Sequence, residues 1–222
     1  MDDQLNRVLK SITDTAKSDS ECSIAIHDYI RDNIKFRFTI DFDKVSPTHT
    51  SLIQQGHCNP QADLFRELLS RAGFPSRLHF VYIDKRIIQH AVPAAIYLFL
   101  PKRLYHAVTE VYANMRWQSV DSYIFDRTTF DQQQTKLLNT DLQSGFGLTR
   151  TSSCEWRADG NALCQASDKD LIETNDRFEN LAQSVMENAG SNKCCGIHIN
   201  KWLGMIPRPL KSSYELYINR LL

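Results

Sequence analysis

One amphipathic helix, predicted directly after a short glycine- and cysteine-containing segment, constrains this chain more than any other feature. Over residues 61–72 apolar side chains repeat at helical spacing, which is typical of a helix packed into a core. Asn59 can cap this helix, Pro60 suits its first position and Gly73 ends it. Cys58 is therefore expected just before the helix start. The apolar stripe consists of Ala62, Phe65, Leu69 and Ala72, widened by Leu64 and Leu68.

Cys58 lies in the segment Gly56-His57-Cys58-Asn59-Pro60, at the positive end of the predicted helix dipole. That dipole and the unpaired N–H groups favour the thiolate, the nucleophilic form of cysteine, and the same N–H groups can bind an oxyanion. The alternative is a buried structural cysteine, because free cysteine is among the most buried residue types. We take Cys58 as the candidate nucleophile.

Length and charge narrow the class of protein. The 222 residues suffice for one well-filled core, with room for an appended subdomain. Lysine plus arginine and aspartate plus glutamate both number 26, so we expect neither a nucleic-acid nor a membrane partner. The amino terminus lacks a signal-like pattern, and the longest apolar run, 91–100, is short and broken by Pro93. These features predict a cytoplasmic protein.

The six cysteines predict reduced thiols, because the chain shows no secretion signal. Two groups invite a zinc interpretation: Cys194-Cys195 with His198, and Cys154 with Cys164. A structural zinc site usually needs two separated clusters of closely spaced ligands, and here the second cluster is missing. We therefore expect no metal and no cofactor.

A β-hairpin is predicted from residues 105–112 and 117–123. With a two-residue turn at Asn114-Met115, His106 and Asp121 share one face as diagonal neighbours, about 7 to 8 Å apart, within reach of each other's side chains. A three-residue loop would place Asp121 on the opposite face. Met115 is unusual here, because such turns favour glycine at the second position.

In that register Asp121 would fix the tautomer of His106 and favour its protonated form, while His106 would accept the proton of Cys58. The structural alternatives are a half-buried strand histidine bonded to backbone and a strand-end aspartate in a turn. His57 is the rival base. Adjacent residues at a helix start tend to point apart, however, and the sequence shows no carboxylate to orient His57.

Three segments, in the same order, resemble the motifs of transglutaminase-like proteins. Residues 56–58 with the end of the helix, 68–77, resemble the G-x-C motif and its L-L-R-x-x-G-I-P-A-R continuation. Residues 105–112 and 117–121 resemble the H-A-W-x-E-V and W-x-x-x-D segments. The likeness covers residues 24–126.

The resemblance implies an α+β, papain-like fold, in which a nucleophile helix packs on an antiparallel β-sheet and Cys58, His106 and Asp121 form a triad. A weaker likeness at 83–85 points to a bacterial branch with a carboxyl-terminal extension. We therefore expect a catalytic core with amino-terminal helices in 1–135 and a mixed, partly helical extension in 136–222. This chain departs from the family pattern by Val108 in place of tryptophan and by Asn114-Met115 in place of Asn-Gly.

The expected activity is acyl chemistry at a peptide, protein or small amide substrate through a thioester. Water as acceptor would make the protein a protease or amidase, and an amine would make it a transglutaminase or a small-amine acyltransferase. The resemblance implies hydrolysis more often than cross-linking, and the sequence shows no acidic calcium loop. The alternative is a non-catalytic binding module that keeps the scaffold.

Overall fold

The computed structural model describes residues 2–166, 171–187, 192–194 and 196–221. The helices are α1 (Asp2–Thr13), α2 (Asp19–Asn33), α3 (Pro47–Ile53), α4 (Cys58–Arg71), α5 (Ala94–Phe99), α6 (Arg127–Leu138), α7 (Leu181–Glu187), α8 (Ile199–Gly204) and α9 (Arg208–Leu221). The strands are β1 (Lys35–Phe36), β2 (Gln55–Gly56), β3 (Ser76–Asp84), β4 (Arg103–Ala113), β5 (Arg116–Val120), β6 (Ser144–Gly145), β7 (Leu148–Thr149), β8 (Arg177–Phe178), β9 (Lys193–Cys194) and β10 (Ile197–His198). Short 3-10 helices span Phe42–Lys44 and Lys85–Ile88.

The main sheet is four-stranded and antiparallel, in the order β5-β4-β3-β8. Helix α4 packs across β4 and β3, and α2 packs on α4 from the other side. The predicted apolar stripe of α4 is fully buried at Ala62, Leu64, Phe65, Leu68 and Leu69, while Ala72, just after the helix, is partly buried. The predicted α+β fold, with the Cys58 helix packed on an antiparallel sheet, is confirmed.

Helix α4 begins two residues earlier than predicted. His57 is the N-cap, without a side-chain cap, and Cys58 is the first helical residue. The predicted roles of Asn59 as cap and Pro60 as first residue are wrong, because the Asn59 side chain bonds to other elements instead. Pro60 fits in the first turn, whose N–H groups have no helical carbonyl to bond. Gly73 has φ +92 and ends the helix as predicted.

The β4–β5 hairpin has the predicted two-residue turn. Asn114 and Met115 both have positive φ, 50° and 61°, as a type I′ turn requires, and Ala113 pairs with Arg116. The Asn114 side chain donates a hydrogen bond to the carbonyl of Ala158 at 2.7 Å. This anchor helps hold the turn although Met115, which is 89% exposed, replaces the usual glycine.

Two parts of the carboxyl-terminal half pack differently on the rest of the chain. The buried apolar side chains of residues 148–164 share one hydrophobic cluster with the helices α2 and α4, and Trp156 and Cys164 are among its members. The described residues of 192–221 instead bury few apolar side chains, such as Leu203 and Ile218. The boundary at 135/136 stays a prediction.

Among the helices that the structure describes, none combines the length and apolarity needed to cross a membrane. Cys22, Cys58, Cys154 and Cys164 are free thiols. Cys195, which the zinc interpretation would use, lies outside the described residues. Within the described ranges, no group of three or more histidine, cysteine, aspartate or glutamate side chains is arranged to hold a metal ion.

Candidate active site

Cys58 lies where a small parallel ribbon enters α4. In this ribbon β1 pairs with β2, and β2 ends two residues before the half-buried cysteine. A Cβ atom at Gly56 would lie 3.1 Å from the Cβ of Pro60 and 3.3 Å from a methyl group of Thr50. Glycine therefore lets the ribbon approach the first turn of α4 closely, and this packing positions Cys58.

His106 is presented by β4 and is 1% exposed. Its Nε2 lies 2.9 Å from Oδ2 of Asp121. Its Nδ1 is buried and has no partner of ordinary hydrogen-bond length in the described part of the chain, which leaves this nitrogen to Cys58. Burial alone lowers the pKa of His106, but the charge of Cys58 and the hydrogen bonds to Asp121 and Cys58 raise that pKa to about 10. The site therefore favours the protonated, imidazolium form of His106.

Asp121 follows β5 and is fully buried. Besides the His106 ring, its carboxylate accepts hydrogen bonds from three consecutive backbone N–H groups, those of Cys164, Gln165 (3.1 Å) and Ala166 (3.0 Å). Such a row of N–H groups forms an anion-binding nest, which satisfies a carboxylate that would otherwise be costly to bury. This contribution cannot be predicted from the sequence, because backbone groups carry no residue-type signal.

Asn59 connects the two elements that carry Cys58 and His106. Its Oδ1 accepts a hydrogen bond from the backbone N–H of Ala107 at 3.0 Å, directly after His106 in β4. Its Nδ2 donates to Oδ1 of Asp43 at 2.9 Å. The Cys58 sulfur lies 3.5 Å from the same Asn59 Oδ1. Asn59 thus fixes the distance between the start of α4 and β4, a role that differs from the predicted helix cap.

His57, the rival base, has a carboxylate partner after all. Its Nε2 lies 3.1 Å from Oδ1 of Asp43, and its ring stacks on Phe42 with centroids 4.2 Å apart. The expectation that His57 lacks an orienting carboxylate is therefore wrong. Asp43 comes from a 3-10 helix 14 positions earlier, and no local pattern reveals such a contact. Nδ1 of His57 is also buried without a partner among the described residues, so the His57–Asp43 pair resembles the His106–Asp121 pair. His106 is the better candidate base, because the charge of Cys58 and a hydrogen bond to Cys58 act on the His106 imidazole.

The three residues singled out from the sequence thus meet at one place. Cys58 comes from a helix start, His106 from the central strand and Asp121 from the end of the hairpin. Chemically, the arrangement combines a thiol nucleophile, an imidazole and a carboxylate that orients the imidazole. Their catalytic roles stay a prediction.

The chain was compared with curated proteins, solved structures and family models. No curated protein matches the sequence. Among solved structures, a candidate cysteine protease from Cytophaga hutchinsonii is 19% identical with a TM-score of 0.41, over 53% of this chain and 36% of that chain. A TGase is 15% identical with a TM-score of 0.39, over 54% of this chain and 30% of that chain. The match thus spans about a third of each structure.

The family model of the transglutaminase-like superfamily matches residues 6–122, which is more than half of the chain. The matched segment includes the start of α4, the strand with His106 and the end of the hairpin. The chain therefore belongs to the transglutaminase-like superfamily.

Proposed function

We propose that this protein is a cysteine-dependent hydrolase or acyltransferase that acts on a peptide or other amide bond through a thioester. Cys58 is the nucleophile, His106 the general acid and base, and Asp121 the residue that orients the imidazole. One observation carries the proposal: the Nε2 of His106 is bonded to Asp121, and the buried Nδ1 is left to Cys58. Family membership supports this chemistry.

In the first step, the Cys58 sulfur attacks the amide carbonyl carbon. The backbone N–H groups at the first turn of α4, including that of Cys58, have no helical carbonyl to bond and can stabilise the resulting oxyanion. The protonated Nδ1 of His106 then donates its proton to the leaving amine as the C–N bond breaks. The raised pKa of His106 keeps this proton in place at neutral pH.

In the second step, the neutral His106 takes a proton from the acceptor as the acceptor attacks the thioester carbonyl carbon. The C–S bond then breaks, which releases the acyl product and returns the Cys58 thiolate and the protonated His106. Water as acceptor gives hydrolysis, and a primary amine gives transfer. We favour hydrolysis, as the resemblance implied. The hydrogen bond that Nε2 of His106 donates to the Asp121 carboxylate holds the ring in one orientation through both steps.

Alkylation by iodoacetamide near neutral pH tests whether Cys58 is an active thiolate. Burial raises the pKa of Cys22 and Cys154, and raises that of Cys164 well above its ordinary value, so these three thiols should react slowly. Peptide mapping by mass spectrometry should find Cys58 labelled first and at one equivalent. A Cys58 that reacts no faster than Cys22 would count against the proposal.

The acceptor is identified by incubating the protein with a pool of peptides, with and without methylamine, and recording products by mass spectrometry. Cleaved peptides in both samples indicate hydrolysis. Products that gain the mass of methylamine with loss of ammonia indicate transfer at glutamine side chains. Neither product from a protein whose Cys58 is reactive would favour the non-catalytic binding module.

A further inference from the structure

Helix α9 lies along the free edge of the segment that continues β1. The backbone N–H of Phe38 donates to Oδ1 of Asn219, and Nδ2 of Asn219 donates back to the Phe38 carbonyl, both at 2.8 Å. The backbone N–H of Ile40 donates to a carboxylate oxygen of Glu215 at 2.9 Å. The opposite edge is taken by β2, because the N–H of Arg37 donates to the Gly56 carbonyl.

The spacing explains why a helix can occupy a strand edge here. Side chains four residues apart on a helix, such as Glu215 and Asn219, are about 5–6 Å apart. Phe38 and Ile40, two residues apart in an extended segment, are separated by about 6.6 Å and point to the same side. A carboxamide that bonds both the N–H and the C=O of one residue imitates a neighbouring strand. Helix α9 therefore replaces a strand at this edge.

A second asparagine makes the same contact beside the imidazole. The backbone N–H of Tyr105 donates to Oδ1 of Asn192 at 2.7 Å, and Nδ2 of Asn192 donates to the Tyr105 carbonyl at 2.9 Å. Tyr105 directly precedes His106, at a level of β4 that β5 does not reach, because their pairing ends at Thr109 and Val120. The strand edge next to His106 is thus also filled by a side chain.

A third asparagine bonds to the cluster that holds the nucleophile helix. Oδ1 of Asn200 accepts from the backbone N–H of Asp43 at 3.2 Å, and its Nδ2 lies 3.4 Å from the Asp43 carboxylate. Asp43 also bonds to His57 and Asn59, on either side of Cys58 in the sequence. Asn192, Asn200 and Asn219 thus attach one carboxyl-terminal segment to three places around the candidate site.

This segment is held mainly by polar contacts. An open groove of about 650 Å³ lies between α9 and the segment after β1, lined by Arg37, Ile40 and Gln55 on one side. Few buried apolar contacts and many exchangeable hydrogen bonds are features of a unit that opens at low free-energy cost. The segment leaves several large apolar side chains exposed: Ile197, Trp202, Met205, Leu210, Tyr214, Leu216 and Tyr217.

We propose that residues 192–194 and 196–221 form a cover that occupies the two strand edges beside Cys58 and His106. The substrate class is an extended peptide, whose main chain takes the places of the asparagine carboxamides at Phe38 and Tyr105 when the cover opens. The closed form leaves Cys58 half-exposed to small molecules and excludes extended chains. This inference rests on the proposed function, because it assumes that Cys58 is the nucleophile.

The test compares two alkylating probes on the full-length chain. Iodoacetamide reports the reactivity of Cys58, and a mixed pool of tripeptidyl chloromethyl ketones reports access for an extended peptide. In the double variant Asn192→Ala, Asn219→Ala, we expect the peptidyl probes to label Cys58 roughly tenfold faster, as the loss of a few hydrogen bonds from the closed form allows. Labelling by iodoacetamide should change less than about twofold, since small molecules already reach the thiol.

Asn33→Ala is the matched control, because Asn33 is exposed and its carboxamide donates to the Tyr29 carbonyl within α2. This control should leave both labelling rates unchanged. Glu215→Ala provides a second variant, which removes one contact of α9 and should accelerate the peptidyl probes by a smaller factor. Hydrogen exchange should become faster at residues 36–40 and 103–107 in the double variant, while α4 keeps its protection.

Two results would overturn the proposal that this segment is a cover. In one, the peptidyl probes label the double variant and the wild type equally fast, although exchange at 36–40 and 103–107 has increased. In the other, both probes accelerate in parallel, which means that Cys58 itself has changed. If instead iodoacetamide does not favour Cys58 in the wild type, the proposed function fails and the cover inference with it.

Discussion

Two buried histidines, His106 in the candidate site and His27 in the core, bond to the consecutive residues Asp121 and Ser122. His106 contacts Asp121, as described above. Nε2 of His27 lies 2.8 Å from the hydroxyl oxygen of Ser122, and its Nδ1 lies 2.9 Å from a carboxylate oxygen of Asp28. By contacts alone, the second arrangement has the residue types of a serine–histidine–aspartate triad.

The pKa values of the two histidines are shifted in opposite directions. Burial dominates at His27 and lowers its pKa, and Asp28 shares its charge with the Arg31 guanidinium at 2.7 Å. His106 instead faces the charges of both Cys58 and Asp121, which raise its pKa. Ser122 is also completely buried, so no substrate reaches its hydroxyl. Hydrogen-bonded residue types therefore do not define an active site, since anionic partners and an accessible nucleophile are needed as well.

Cys58→Ala has the largest expected effect. It tests whether Cys58 beside His106 is the nucleophile, and not Ser122 beside His27. We expect the turnover of a cleaved peptide to fall by at least about 10⁴-fold, because the thioester cannot form. The melting temperature should stay close to that of the wild type, since Cys58 is only half-buried. Turnover that survives this substitution would transfer the chemistry to another residue.

Asp121→Asn should reduce turnover by roughly 10²- to 10⁴-fold and leave a measurable rate, because the nucleophile and oxyanion donors remain. The pKa of His106 should fall, since its hydrogen bond to the Asp121 carboxylate helps to raise it. Titration of the imidazole signals by NMR measures this change. If Asp121→Asn and Cys58→Ala instead unfold the protein to the same extent, both residues are structural.

His27→Gln tests whether the pKa of the core histidine is lowered. Because the pKa of His27 is lowered from 6.5, the unfolded chain binds more protons below that pH, and stability falls as the pH falls. Each such proton contributes at most about 1.4 kcal/mol per pH unit to the free energy of unfolding. Urea unfolding between pH 6.5 and 5 should show a shallower decline in the variant. An unchanged slope would mean that His27 does not resist protonation.

The smallest expected effect is that of Ser122→Ala. The free energy of unfolding should drop by about 1 kcal/mol, because the hydrogen bond to His27 is lost in the core. Peptide turnover should change less than about twofold, since this hydroxyl contacts no reacting group. A loss of turnover as large as that of Asp121→Asn would show that the two histidine sites act together.

The sequence predicted those parts of the site that depend on local spacing. The turn at Asn114-Met115 determined the register of the hairpin, and with it the shared face of His106 and Asp121. The start of α4 was misplaced by two residues, because Asn59 has the composition of a cap but bonds to Ala107 and Asp43 instead. Propensity ranks residue types at a helix end and does not include tertiary partners of the side chain.

Contacts between distant segments were beyond sequence reasoning. The bond between His57 and Asp43 and the three N–H groups around Asp121 depend on how loops return to the core. A backbone N–H is present at nearly every residue, so no pattern marks those that will meet a carboxylate. Asparagines 192 and 219 were equally inconspicuous, because each is important only through the strand residue that it meets.

The row of N–H groups from residues 164–166 has a consequence for how this protein can be divided. The family match ends at residue 122, directly after Asp121. A fragment cut at that point would retain the buried carboxylate and the imidazole but lose three of the donors that make its burial tolerable. The smallest fragment that keeps the Asp121 carboxylate fully hydrogen-bonded is therefore longer than the segment matched by the family model.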